Sequence, residues 1–296
     1  MSRSPNLFVV GVARAGTTSL SHYLDQHPDI FMSPVKEPYF FSSYHPDWVP
    51  VSQTLFSYLS LFAGATTEKY LGEASPAYFW DEDSPQAIKE ASPEARIIIS
   101  LRDPIKRAYS EYLLLRRSLE EWRSTFAEAV EEEMALDPSQ RGVNPQYNYV
   151  DRGYYAARVE RYFEVFGTDR VHVLFFEDFV KSTREEMRRV FKFLDVDPDF
   201  ARAIAIVPQN QGGAPKNRLA ALLLYSRRLR SIGRLLVPAG GRPRVERSLM
   251  QRGKMDVDDR TRRRLYEVYA DDWRRLRELL GKSPPWVGGV SADMSS

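Results

Sequence analysis

The chain has 296 residues, 43% hydrophobic and 28% charged, which suits one large soluble α/β domain or two small ones. It has no cysteine, which excludes disulfides, thiolate metal sites and a cysteine nucleophile. The net charge of +2 hides an asymmetry: eleven basic residues lie between Lys216 and Lys254 with Glu246 as the only acid, a block that suits an anionic partner or a solvated helix face.

In chain order, Asn6–Val12 reads as a strand and Thr17–Gln26 as a helix. The apolar run is too short to span a membrane and flows into a glycine turn, so it is read as a first strand rather than a signal peptide. "HPDIFMSPVKEPYFF" reads as a loop, Lys69–Gly72 as a short strand and Ser84–Ala91 as a helix. "ARIIISLRDP" is a buried strand ending at Leu101 or Arg102, and Pro104 opens a helix that runs to about Arg117. Helices follow at Thr125–Met134 and Tyr154–Phe166, then a strand at Val171–Phe176 and a helix at Thr183–Leu194.

Beyond Asp197 the strand signals stop, and Leu219–Leu236 and Asp258–Leu280 read as helices. The expected organisation is a single α/β domain with its core over residues 1–194, a helical part over 195–282 and a tail over 283–296. No segment reaches 18 consecutive apolar residues, so a transmembrane segment is not expected and a cytoplasmic location is.

Two strands end in chemically loaded turns, and ligands of open parallel sheets bind at such ends. The first, "FVVGVARAGTTSL", fits G-x-x-x-x-G-K-[ST] except that Thr17 stands where the lysine belongs. A glycine turn between strand and helix offers backbone N–H groups and the positive helix end to an anion. Arg14 adds charge and Thr17 and Thr18 add hydroxyls; the alternative is a plain tight turn. A nucleoside triphosphatase also needs an apolar strand ending in a metal-binding aspartate. The nearest, "IIISLRD", has Arg102 before Asp103, which suits a second anion contact better. In "RDPIKRAYSEY", Arg102 and Ser110 together suit a phosphate monoester, unless Arg102 pairs with Asp103 or Glu111.

Together these motifs resemble the sulfotransferases that use 3′-phosphoadenosine 5′-phosphosulfate (PAPS), particularly the branch shared by bacterial enzymes and heparan sulfate sulfotransferases. The family's 5′-phosphosulfate loop corresponds to "GVARAGTT", and its 3′-phosphate motif, R-D-P-x-x-R-x-x-S-x-Y, to "RDPIKRAYSEY". "KEPYFF", "EASPAYF" and "GYYAARVERYFEVFGTDRVHVLFFEDF" extend the likeness from Phe8 to Leu194. It implies a P-loop NTPase-like three-layer α/β fold with a central, mainly parallel sheet flanked by helices and a helical C-terminal part. Arg14, Ala15, Gly16, Thr17 and Thr18 would bind the 5′-phosphosulfate, Arg14 polarising it, and Arg102 with Ser110 the 3′-phosphate. A late basic loop is implied at Arg252, Gly253 and Lys254, with Lys216 competing. Relatives commonly carry lysine at Arg14 and, in the heparan branch, at Ala74.

Glu37 is the candidate general base, taking the proton of an acceptor hydroxyl, or less readily an amine, with Phe40 and Phe41 walling the pocket. It could instead simply pair with Lys36 or Arg14. Glu73 is the second choice. His22, His27, His45 and His172 show no metal-ligand spacing, and no metal is expected, because a sulfuryl group carries less charge than a phosphoryl group. The acceptor is expected to be a glycan, lipid or small metabolite, not nucleic acid. The competing readings are a P-loop nucleoside or nucleotide kinase and a non-catalytic anion-binding module.

Overall fold

Five short apolar strands form one parallel sheet: β1 (Leu7–Gly11), β2 (Ile30–Met32), β3 (Tyr70–Ala74), β4 (Arg96–Leu101) and β5 (Val171–Phe175). This computed structural model describes residues 4–43, 54–118, 120–137, 148–207, 214–215, 250–251 and 257–287. Lys216, His45, Arg252–Lys254 and the expected helix Leu219–Leu236 lie outside the described residues. The strand order is β2-β3-β1-β4-β5, with Leu7 opposite both Gly72 and Arg96. The strands are nearly continuous apolar runs because both faces of the sheet are covered. β1 sits where the strand order reverses, the place at which such sheets leave a crevice.

On one face Leu7, Val9, Ile98 and Leu174 pack with helices α1 (Thr17–Leu24), α7 (Phe176–Lys181) and α8 (Thr183–Phe193). The buried Met187, Val190, Phe191 and Leu194 recur at helical spacing, so α8 offers one continuous stripe to the sheet. The other face is covered by the 3₁₀ turn Pro76–Phe79, α3 (Ser84–Ala91) and α6 (Ala156–Phe166). Phe79 stacks on Tyr162 there at 6.4 Å between ring centroids. These are the three layers expected.

The differences from the sequence reading have local causes. β2 lies inside the expected loop, because three residues between prolines carry too little periodicity to be seen. β3 runs on to Ala74 because Glu73 and Ala74 pair with Phe8 and Val9. α6 starts at Ala156 because the N–H groups of Tyr155 and Ala156 donate to the remote Asp272 carboxylate, at 2.9 and 3.0 Å. Short strands β6 (Ala214–Pro215) and β7 (Met250–Gln251) form an antiparallel pair where no further strand was expected. α2 (Leu55–Ser60) gave no sequence signal, whereas the last helix, α9 (Asp259–Leu280), begins one residue late. Among the described residues no helix is long and apolar enough to cross a membrane.

The chain divides into two compact units. The first, Met1–Asp103 with Tyr154–Gln209 and Ala270–Ser296, contains the five-stranded sheet. The second, Pro104–Gly153 with Asn210–Tyr269, contains α4 (Pro104–Ser118) and α5 (Phe126–Ala135). Thr125 and Glu128 form a capping box that starts α5. Arg107, inside the "RDPIKR" motif, is fully buried and donates from Nη2 to the Tyr149 carbonyl at 2.6 Å. Glu133, also buried, accepts the backbone N–H groups of Tyr149, Val150 and Asp151 at 2.6–3.0 Å. Burial pushes the Glu133 carboxyl up, and the three N–H donors and the Arg107 cation oppose it.

Replacing Glu133 with glutamine removes the charge from this buried acceptor and half of its capacity. The second unit should lose about 2 kcal/mol, the scale of hydrogen bonds to a charged group. Urea unfolding reads this as a lower midpoint; an unchanged midpoint would show that the 149–151 backbone finds other acceptors.

Candidate active site

The first turn leaves β1 at Gly11 and is pinned to the end of β4. Val12 N–H donates to the Ser100 carbonyl at 2.7 Å, and the Ser100 hydroxyl donates to the Ala15 carbonyl at 2.7 Å. Arg14 and Gly16 both take left-handed backbone conformations, with φ of 71° and 77°. Gly16 is required twice over: its φ is positive, and a Cβ would lie 2.9 Å from the Phe176 ring. At Arg14 no such freedom exists, and the strain, on the order of 1–3 kcal/mol, must be offset by the contacts around it. Gly16 is the N-cap of α1, which has no side-chain cap and no acidic residue in its first turn. Thr17 is buried there and Thr18 half-buried. A helix start with such a loop suits a bound phosphate.

The second turn, after β4, reaches back to the first. The Arg102 guanidinium donates from Nη1 to the Arg14 carbonyl at 2.6 Å and lies over the Phe176 ring at 4.8 Å. Its Nε is buried with no hydrogen-bond partner among the described residues. Burial holds the guanidinium below the usual arginine range; Glu177 opposes this and the Arg14 cation adds to it. Glu177 Oε1 accepts the Asp103 N–H at 3.1 Å, and the Tyr155 hydroxyl donates to the Arg102 carbonyl at 2.9 Å. A buried guanidinium with an unused donor, beside a second arginine, fits an anionic phosphate group. Ser110, half-buried on α4, belongs to the second unit.

Glu37 follows β2 on a loop anchored to the end of β3, its N–H donating to the Ala74 carbonyl at 3.2 Å. Glu37 and Tyr39 both have positive φ, 60° and 56°. The side chain is 28% exposed, ion-paired with Lys36 through Oε1, and accepts the Tyr39 hydroxyl on Oε2 at 2.6 Å. The pairing with Lys36 weighed from sequence is therefore present. Phe40 and Phe41 are half-buried and lean into the protein: Phe40 stacks on Tyr58 at 4.2 Å, and Phe41 meets Phe8 and Tyr78 edge-on. Ser42 and Ser43 tie the end of the loop to the Asp81 carboxylate.

Glu73, the second choice for a base, is 1% exposed and closed over by three hydroxyl groups. Burial pushes its carboxyl up while the three hydrogen bonds oppose the shift. His27 is structural: Nδ1 accepts the Asp29 N–H at 3.1 Å and Nε2 faces the Asp197 carbonyl at 3.2 Å. His172 is half-buried in β5 with its pKa lowered to about 4, first by desolvation.

Sequence reasoning did not find Phe176, Glu177, Tyr39, Tyr58 or Asp81. Phe176 and Glu177 follow β5 directly, so the strand-end rule that found the other two turns could have found them. Tyr58 comes from the unsignalled α2 and had no such clue.

A family model described as "Sulfotransferase domain" matches residues 4–209. Heparan sulfate glucosamine 3-O-sulfotransferase 5 of Mus musculus is 26% identical over 194 residues, covering 66% of this chain and 54% of its own. Carbohydrate sulfotransferase 15 of Homo sapiens is 25% identical over 270 residues, covering 72% and 48%. The chain thus spans about half the length of these curated relatives. The crystal structure of a sulfotransferase from Alicyclobacillus acidocaldarius is 29% identical, with a TM-score of 0.69, covering 95% of this chain and 97% of that one. Mouse sulfotransferase SULT7A1, solved with PAP, shares the fold at 18% identity and a TM-score of 0.51, covering 92% and 86%. The family match takes in all five strands of the large sheet and both turns that end in arginine chemistry, and the chain accordingly belongs to the sulfotransferase family.

Proposed function

We propose that the chain moves a sulfuryl group from PAPS to a hydroxyl, less readily an amine, of a glycan, lipid or small metabolite. The observation that carries this reading is the bond from the Arg102 guanidinium to the Arg14 carbonyl, which joins two anion-binding turns at the switch point of the sheet. When bound, PAPS supplies the activated sulfuryl group and is left as PAP. Arg14, Ala15, Gly16, Thr17 and Thr18 hold its 5′ side through backbone N–H groups, hydroxyls and the start of α1. Arg14 also sets a cation where negative charge grows on the departing phosphate. Arg102 presents its buried, unfilled Nε–H to the 3′-phosphate, the group that separates this donor from ordinary adenine nucleotides.

Glu37 receives the proton of the acceptor hydroxyl. Lys36 and Tyr39 hold its two oxygens in place, and the partial exposure of the carboxylate leaves it open to an incoming group. Pro38, Phe40 and Phe41 give the loop an apolar flank suited to a sugar ring or an alkyl chain. Their inward packing makes them supports of this pocket as much as its wall.

Arg102→Ala should weaken PAP binding by at least about 30-fold (~2 kcal/mol), the scale for removing a buried charged hydrogen-bond partner. Adenosine 5′-phosphate should weaken less, because it loses only the support given to the Arg14 carbonyl. Calorimetry on both ligands decides it, and equal losses would remove the 3′-phosphate role from Arg102. Glu37→Gln should lower kcat by roughly 10²–10⁴-fold with PAP affinity unchanged. Normal turnover by that variant in a radiolabelled-donor assay would end the assignment of Glu37 as base.

A further inference from the structure

Glu73 is a buried carboxylate for which the reaction has no direct use. It lies at the C-terminal end of β3 and is 1% exposed. Oε1 accepts the hydroxyls of Tyr58 at 2.7 Å and Tyr78 at 2.8 Å, and Oε2 accepts that of Ser75 at 2.6 Å. A carboxylate can only accept, so each hydroxyl must aim its single hydrogen inward and present its lone pairs elsewhere.

Two of those hydroxyls then accept backbone N–H groups from the loop that carries Glu37. Phe41 N–H donates to the Tyr78 oxygen at 3.2 Å, and Tyr39 N–H makes a long contact of 3.5 Å to Ser75 Oγ. The third belongs to Tyr58, whose ring lies flat on Phe40 with 5° between planes. Three successive loop residues thus rest on the three groups that Glu73 orients. Glu37 itself hangs from the next residue of the strand, Ala74, and takes the Tyr39 hydroxyl on Oε2.

We propose that Glu73 is a positioning residue: through Tyr58, Ser75 and Tyr78 it fixes the left-handed loop that presents Glu37 to the acceptor. This deepens the assignment of Glu37 as base and rests on it. An apolar side chain would fill the same space without dictating which way three hydroxyls point. A satisfied buried network does dictate it, which is how such networks select one arrangement. Glutamine at position 73 keeps the shape but replaces one accepting oxygen with a donating NH₂. At least one hydroxyl must then turn its hydrogen outward, toward the N–H it formerly accepted.

The experiment compares the chain with its Glu73→Gln variant. None of the partners of Glu73 belongs to the turns at 12–18 or 102, so PAP affinity by calorimetry should be unchanged, and this also counts the folded fraction. Turnover per folded molecule should fall roughly 10²-fold, the scale of a displacement of about 1 Å at a reacting group. Amide hydrogen exchange in a peptide covering 36–43 should quicken, with exchange at 12–18 unaffected. If the glutamine variant does not fold, Tyr78→Phe combined with Ser75→Ala removes both N–H acceptors and should give the same loosening and loss of turnover. Wild-type turnover, whether or not exchange quickens, overturns the proposal. Faster exchange with slowed turnover shows that Glu73 fixes the loop; if Glu37→Gln nonetheless proves fully active, the base assignment fails and the loop serves the acceptor through another of its residues.

Discussion

A charged hydrogen bond 2.6 Å long, from the Arg102 guanidinium to the Arg14 carbonyl, is the contact on which the joining of the first two strand-end turns depends. Burying a guanidinium is expensive unless its donors are used. Here one N–H is used by a carbonyl, the flat face rests on Phe176 and Glu177 lies nearby, yet Nε remains unfilled. The same bond helps keep Arg14 in a backbone conformation that arginine does not favour. Arg102 is thus both a prospective anion ligand and a support for the loop proposed to hold another anion. Phe176 links the two tasks, since it lies under Arg102 and leaves no room for a Cβ at Gly16.

The acceptor side follows the same logic with different chemistry. Glu37 and Tyr39 are both left-handed, and non-glycine residues stay so only where surroundings hold them. The Ala74 carbonyl, the hydroxyls of Ser75 and Tyr78, the Tyr58 ring and the Asp81 carboxylate do the holding. Most of these come from β3 and the turn after it. A strand end that contributes no residue to the proposed site thereby holds the loop that carries Glu37.

What could be read from sequence was what is local. The glycine turn and the "RDP" turn each sit within one strand–turn–helix unit, so their residue types and spacing were enough to mark Arg14, Gly16 and Arg102. What was hidden lies between distant segments. Arg102 and Arg14 are 88 residues apart, and nothing in either motif says that one donates to the carbonyl of the other. Glu73 looked like a second base because a carboxylate at a strand end looks reactive. Only the arrival of Tyr58 from α2 and Tyr78 from the following turn shows it to be enclosed. The positive φ values of Arg14, Glu37 and Tyr39 were equally hidden, because these residue types give no sign of left-handed backbone.

The strand order explains why these two halves can meet. β1 lies in the middle, with β3 and β2 to one side and β4 and β5 to the other. Most of what shapes the Glu37 loop comes from the first side: the loop leaves β2 and docks on the end of β3. Arg102 and two of its neighbours come from the second: Arg102 follows β4, and Phe176 and Glu177 follow β5. The Val12–Gly16 turn belongs to the central strand and is bonded to β4 through Ser100. Parallel strands put all five C-terminal ends along one edge, so Glu37, the proposed proton acceptor, and Arg102, the proposed donor ligand, arise at that edge on opposite sides of the central strand.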